Sequence, residues 1–106
     1  MTLRDYLMPG EEVKFSSRRR VRYGSKSYQV ILSDRHILLY AQRGTLFKSD
    51  DIVVERLNDL QGLKYSEEGI VAKRGIIRVQ GLKSEMDLSG PAEEIKTLYQ
   101  QMMRFM

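Results

Sequence analysis

The sequence predicts a mainly β domain: an antiparallel barrel or sandwich of about seven strands, bent and capped by one C-terminal α-helix. Three observations carry this. Apolar and polar residues alternate with period two from Val13 onward, the mark of half-buried strands. Turn-forming residues recur at intervals of roughly 8–12 residues, as they do between the short strands of an all-β fold. Only one segment, after Pro91, shows an apolar stripe at helical spacing.

Taken in order, Thr2 can cap a short helical turn over Leu3–Leu7, with Asp5 as its capping-box partner, and Pro9-Gly10 ends it. From Val13 to Tyr23 the alternation predicts one strand. Val13, Phe15, Ser17, Val21 and Tyr23 face one way, and Lys14, Ser16, Arg18, Arg20 and Arg22 face the other, which turns Arg19 inward. Gly24, Ser25 and Lys26 interrupt it, and Tyr28–Leu32 resumes. Ser33, Asp34 and Arg35 read as a tight turn, because Ser and Asp side chains bond local backbone donors. His36–Ala41 is apolar on both faces and belongs inside the sheet. A reversal at Gln42, Arg43 and Gly44 leads to Leu46-Phe47 and Ile52–Val54, with a corner over Lys48–Asp51.

Leu60–Tyr65 is a weaker strand closed by a hairpin turn at Ser66–Gly69. Ile70–Lys73 returns, Arg74-Gly75 turns again, Ile76–Val79 follows, and Lys83–Leu88 is the last strand before a turn at Ser89, Gly90 and Pro91. The helix then runs over about 91–105. Pro91 suits its first position, and Glu93 and Glu94 complement the positive end of its dipole. Its stripe of Ile95, Leu98, Tyr99, Met102 and Met106 must be buried, most simply over the open end of the barrel.

Composition narrows the function classes. A chain of 106 residues reads as a single domain over 1–106 with one core. It has no cysteine, so disulfides, thiolate nucleophiles and zinc-thiolate sites are excluded, which fits a reducing cytoplasm. No apolar run approaches the ~20 residues that span a bilayer, and the first ten residues lack the apolar core of a signal peptide. The net charge is +4, unevenly spread: residues 1–48 hold ten Lys/Arg against four Asp/Glu, and residues 49–106 hold eight against ten. A basic half of this kind suits phosphates, anionic lipid or an acidic protein surface.

The residues Met8, Pro9, Gly10, Glu11, Glu12 and Val13 opening the first strand, the run YQVILSDRHILLY from Tyr28 to Tyr40, Asp50-Asp51-Ile52, and the helix entry Gly90 to Ile95 occur in succession. In that succession the chain resembles the pleckstrin-homology-like superfamily, in particular its short bacterial and archaeal forms and the related GRAM domains. The resemblance covers nearly the whole chain. It implies a non-catalytic module that binds phospholipid head groups, peptides or proteins, or that assembles with itself.

In lipid-binding members a lysine on the first strand and a basic-x-Arg near the next form a phosphate pocket. Lys14, Arg20 and Arg22 can be laid on that spacing, with Arg18 and Lys26 adjoining, so these five are the candidate ligand-binding residues for an anionic head group. Arginine suits the task because its planar fork grips phosphate oxygens in bidentate fashion. The basic face is equally readable as solvated surface, and a protein partner or homo-oligomer ranks level with an anionic membrane surface. Nucleic acid ranks below both: Tyr23 and Tyr28 could stack bases but fall among apolar neighbours. No enzyme activity, cofactor or metal is expected. His36 is the only histidine and reads as structural, Asp34 beside it has no nucleophile to serve, and no phosphate-cradling glycine motif occurs. Met102 and Met106 belong to the helix stripe, with Met103 at its edge.

Overall fold

In the computed structural model residues 6–43, 49–82 and 84–105 are described. Among them lie eight strands: β1 (Val13–Ser16), β2 (Val21–Tyr23), β3 (Lys26–Ser33), β4 (His36–Arg43), β5 (Ser49–Arg56), β6 (Gly62–Glu68), β7 (Arg74–Gln80) and β8 (Glu85–Pro91). Helix α1 (Ala92–Phe105) follows. The strands make one antiparallel sheet in the order β5-β4-β3-β2-β8-β7-β6, with β1 paired to β3 beside that path. The chain is therefore mainly β with a single C-terminal helix, as its patterning predicts.

The sheet curls without closing. β5 and β6 are its two edges, yet they are consecutive in the chain, joined by residues 57–61 through one 3-10 turn at Leu57–Asp59. Six inter-strand spacings in a flat sheet would separate these edges by about 29 Å, whereas a linker of that length reaches at most about 20 Å. Curling brings Val30, Leu32, Ile37 and Leu39 of one half together with Ile77, Val79 and Leu88 of the other, and all of these side chains are buried. Helix α1 fills the remaining side of this core with Ile95, Leu98 and Met102, none of which is exposed to solvent, and Tyr99 and Phe105 pack at the margin. Met106 lies outside the described residues. Strand β4 is buried on both faces. On the outer one, Leu38 sits opposite Ile31, and Tyr40 carries the ring of Tyr6 at 6.1 Å.

Several expectations are corrected. The predicted strand from Val13 to Tyr23 is two strands, broken at residues 17–20. Arg18, Arg19 and Arg20 are all exposed, so Arg19 does not turn inward. An unpaired charge would be costly in the core, and the chain leaves the ladder instead. Secondly, Ile70–Lys73 is no strand: β6 continues through the predicted turn to Glu68, and residues 69–73 form the loop into β7. Thirdly, Arg74 and Gly75 belong to β7 rather than to a turn. Finally, Ser89, Gly90 and Pro91 end β8, so the helix starts one residue later, at Ala92. Proline is tolerated there because a strand end needs no further ladder donor. The helical turn expected over Leu3–Leu7 begins outside the described residues. Of the expected reversal and corner, Gly44, Leu46, Phe47 and Lys48 also lie outside them, whereas Gln42 and Arg43 continue β4, and Ser49, Asp50 and Asp51 open β5 in place of a corner.

Candidate anion-binding corner

The break between β1 and β2 is a built feature. Both strands pair with β3, β1 along its second half and β2 along its first, so the bend sits at the middle of one strand edge. Ser17 bridges the gap in the ladder: its N–H donates to the Val30 carbonyl at 2.8 Å, and its hydroxyl accepts the Val30 N–H at 3.0 Å. Beyond it the backbone amides of Arg18 and Arg19 lose their ladder partners. The Glu94 carboxylate in the first turn of α1 accepts both, at 2.8 and 3.2 Å. A serine and a glutamate thus hold the bend by its backbone and leave the guanidinium groups unengaged.

The five candidate residues separate on this frame. Arg18, Arg20 and Arg22 are exposed, and among the described residues no carboxylate forms an ion pair with any of them or with Arg19. Arg22 follows on β2, its Nε directed to the Gly24 carbonyl at 3.4 Å. Lys14 and Lys26 are neutralised. Lys14 holds Glu12 at 2.8 Å, and this hydrogen bond together with the Glu12 charge keeps its ammonium above the ordinary range. Lys26 reaches Asp51 on β5 at 3.3 Å.

Arg18, Arg19 and Arg20 together line a groove of about 280 Å3 with Gln29, Tyr40 and Gln42, and among the described residues no carboxylate lines it. On the other side of the bend, Arg18 and Arg19 share a larger groove of about 690 Å3 with Val71, Lys73, Lys96 and the start of α1. Three carboxylates line that second groove: Glu67, Glu93 and Glu94. Glu94 is held by the backbone of the bend. Glu67 accepts the Tyr65 hydroxyl at 2.7 Å and pairs with Lys96 at 3.2 Å, which holds its carboxyl below the ordinary range. Burial, then the bond to Glu67 and the charge of that carboxylate, push the Tyr65 hydroxyl up to about 12.

Chemically, this corner offers exposed cations with planar donor forks. It suits holding phosphate oxygens. Sequence reasoning missed Arg19, Gln29 and Gln42. The signal for Arg19 was present, since three consecutive arginines cannot obey strand alternation without burying one.

His36 lies elsewhere. Its Nδ1 is 2.7 Å from Glu11 Oε2, and the Glu11 side chain is fully enclosed. Glu11 also accepts the Ser33 hydroxyl and, at 2.8 Å, the Met8 N–H. Burial alone would raise the Glu11 carboxyl, but hydrogen bonds from Ser33, Met8 and His36, with the His36 charge, outweigh it and hold the group below its ordinary value. This cluster pins the N-terminal segment to the β3–β4 turn. Ser33 Oγ meets Glu11 rather than the imidazole, so the three residues lack the serine-to-histidine contact a nucleophile would need. Tyr28 is buried and Tyr23 half-buried, their rings 6.3 Å apart.

Among the described residues no group of three or more His, Asp or Glu could hold a metal ion, and no helix is long and apolar enough to cross a membrane. No family model and no curated protein matches the chain.

Proposed function

We propose that this chain is a non-catalytic binding module of the pleckstrin-homology-like kind, and that its Arg18–Arg20 corner with Arg22 holds the phosphates of an anionic membrane surface. One observation carries the reading. Four arginines within five residues, three of them on a bend held by its backbone, stand exposed with no carboxylate partner among the described residues. Arg78 on β7 shows the contrast, sitting 3.1 Å from Asp87 and 3.6 Å from Glu85. Near an anionic surface each unpaired cation contributes about 1 kcal/mol. Four give weak, salt-sensitive adhesion in the millimolar range.

Co-sedimentation with phosphatidylcholine vesicles, with and without phosphatidylserine, tests this. Wild-type protein should sediment with the anionic vesicles at low salt only. The triple change Arg18→Gln, Arg19→Gln and Arg20→Gln keeps the backbone bonds to Glu94, so Tm should hold while binding falls by roughly a hundredfold, or about 3 kcal/mol. Wild-type protein that ignores anionic vesicles at low salt defeats the reading.

A second reading rests on a different observation. β5 is an eight-residue edge strand whose one strand partner among the described residues is β4, and its Val54 is 44% exposed. An unpaired ladder edge can take a strand from a second copy of the chain. Light scattering at high protein concentration decides it, and a monomer mass refutes self-assembly.

A further inference from the structure

The β6–β7 loop, residues 69–73, carries two aliphatic side chains almost wholly in water. Ile70 is 95% and Val71 98% exposed, whereas Met8, Leu82 and Met103, the next most exposed large apolar residues described, are 52–62% exposed. Isolated surface hydrophobes need no explanation, but this pair contradicts the chemistry of its own element. Tight connections favour Gly, Asn, Asp, Ser and Pro, and β-branched residues are poor turn formers. A local rule broken without compensation inside the fold marks a functional position.

The tip turns on a glycine. Gly69 has φ +99°, and a Cβ there would lie 2.5 Å from the Ala72 carbonyl oxygen, so only glycine closes the turn in this form. Val71 also lines the groove that Arg18 and Arg19 share with Lys73 and Lys96. An apolar point and a set of cations therefore face the same space. From this juxtaposition we infer that Ile70 and Val71 form a wedge that inserts among the head groups and upper acyl chains of an anionic bilayer, while Arg18 and Arg19 meet the phosphates around it. The inference rests on the membrane reading above and names the contact that reading lacks.

Two features favour a bilayer over a protein partner. The tip is convex and two side chains wide, far short of the roughly 800 Å2 per partner that a stable protein interface buries. An apolar point with basic residues beside it matches the layering of the interface itself, where charge stays at head-group depth and hydrocarbon lies beneath. The three glutamates of the groove oppose this only in part, because Glu94 and Glu67 are already held by donors of the fold. Glu93 is the exception and sets a limit on affinity.

The chain contains no tryptophan, so Val71→Trp supplies a single tryptophan at the tip, excited at wavelengths where the tyrosines do not absorb. Its emission should shift to the blue with phosphatidylserine-containing vesicles and be quenched by lipids brominated on their acyl chains. Leu82→Trp, beyond the opposite end of β7, is the control and should stay unshifted. Separately, Ile70→Ser with Val71→Ser should leave Tm in place and lower vesicle partitioning by about tenfold or more, the loss expected for keeping buried aliphatic groups in water. If wild-type protein sediments but the Val71→Trp variant stays red-emitting and the serine pair binds equally well, insertion is refuted and the arginine corner stands. If wild-type protein does not sediment, both readings fall.

Discussion

Gly75 sits in mid-sheet with a conformation open to any residue, so alanine there tests how closely the helix approaches. Gly75 is not among the described glycines with positive φ. Gly→Ala at a compatible site ordinarily stabilises by about 0.4–1 kcal/mol, through the unfolded chain. Here the added Cβ would lie 2.8 Å from Ile95 Cβ, 3.0 Å from Ile95 Cγ2 and 3.1 Å from the Tyr65 ring. Ordinary carbon contacts fall at roughly 3.5–4.0 Å. Ile95 is branched at the atom that collides and cannot swing clear, and the Tyr65 ring is backed by Tyr99 at a centroid distance of 5.5 Å. The helix must lift or tilt, and overpacking of this sort costs about 1–3 kcal/mol. We expect Gly75→Ala to destabilise by about 1–2 kcal/mol net, lowering Tm by roughly 4–15 °C for a domain of this size. Thermal and urea unfolding measure it, and Ile95→Ala identifies the cause. Alone it opens a cavity at a cost of about 2–5 kcal/mol. Combined with Gly75→Ala, the two should destabilise by less than their sum, with a coupling above about 0.5 kcal/mol. A Gly75→Ala variant more stable than wild type, or strict additivity, would refute the account of α1 seated directly on β7.

Leu98→Ala removes a side chain with no solvent exposure and should cost about 2–4 kcal/mol, read as a lower urea midpoint at unchanged slope. Gly69→Ala forces a side chain into positive φ against the Ala72 carbonyl and should destabilise by about 1–3 kcal/mol, and Gly69→Asn, whose Cβ meets the same oxygen, should not recover the loss. The Glu11 carboxyl is held below its ordinary value of 4.5 in the folded chain, so the native state binds fewer protons there than the unfolded one. Its contribution is fully present above that ordinary value and is lost as pH falls through the folded value. Urea midpoints taken across acid pH should therefore fall more steeply for wild type than for Glu11→Gln. At neutral pH the variant should be about 1–3 kcal/mol less stable; parallel pH curves would remove Glu11 from the account.

Much of the fold is legible because the sequence repeats its signals. His36–Ala41 is apolar on both faces and is buried on both, and the helical stripe finds the core through Ile95, Leu98 and Met102. What fails is where two rules coincide. Ser17 and Val21 keep the same parity across the bend, so alternation alone cannot see the break; only Arg19, on the buried parity, betrays it. Ile70 and Val71 have strand propensity and sit in a loop, while Ser66, Glu67 and Glu68 look like a turn and extend a strand. Gly75 reads as a turn residue, but its role is to let a helix approach, which depends on a residue twenty positions later. The candidate site divides the same way. The pairing of Lys14 with Glu12 is local, two residues apart on one face, and could be read directly. The pairing of Lys26 with Asp51 depends on β3 and β5 lying on either side of β4, which sequence spacing does not encode.

The corner separates holding from binding in a way that bears on affinity. A surface carboxylate beside three arginines would ordinarily bond their guanidinium groups and cancel their charge. Glu94 instead accepts backbone N–H groups, so it fixes the bend and leaves the side chains free. Ser17 does the same from the sheet side. The cations are thus presented from a backbone that need not be ordered again on binding, which lowers the entropic cost of association. Because Glu94 belongs to the first turn of α1, and α1 is seated by Ile95 on Gly75, the geometry of the arginines is tied to the packing of the core. The helix is in this sense part of the proposed site, although its core residues Ile95, Leu98 and Met102 line neither groove.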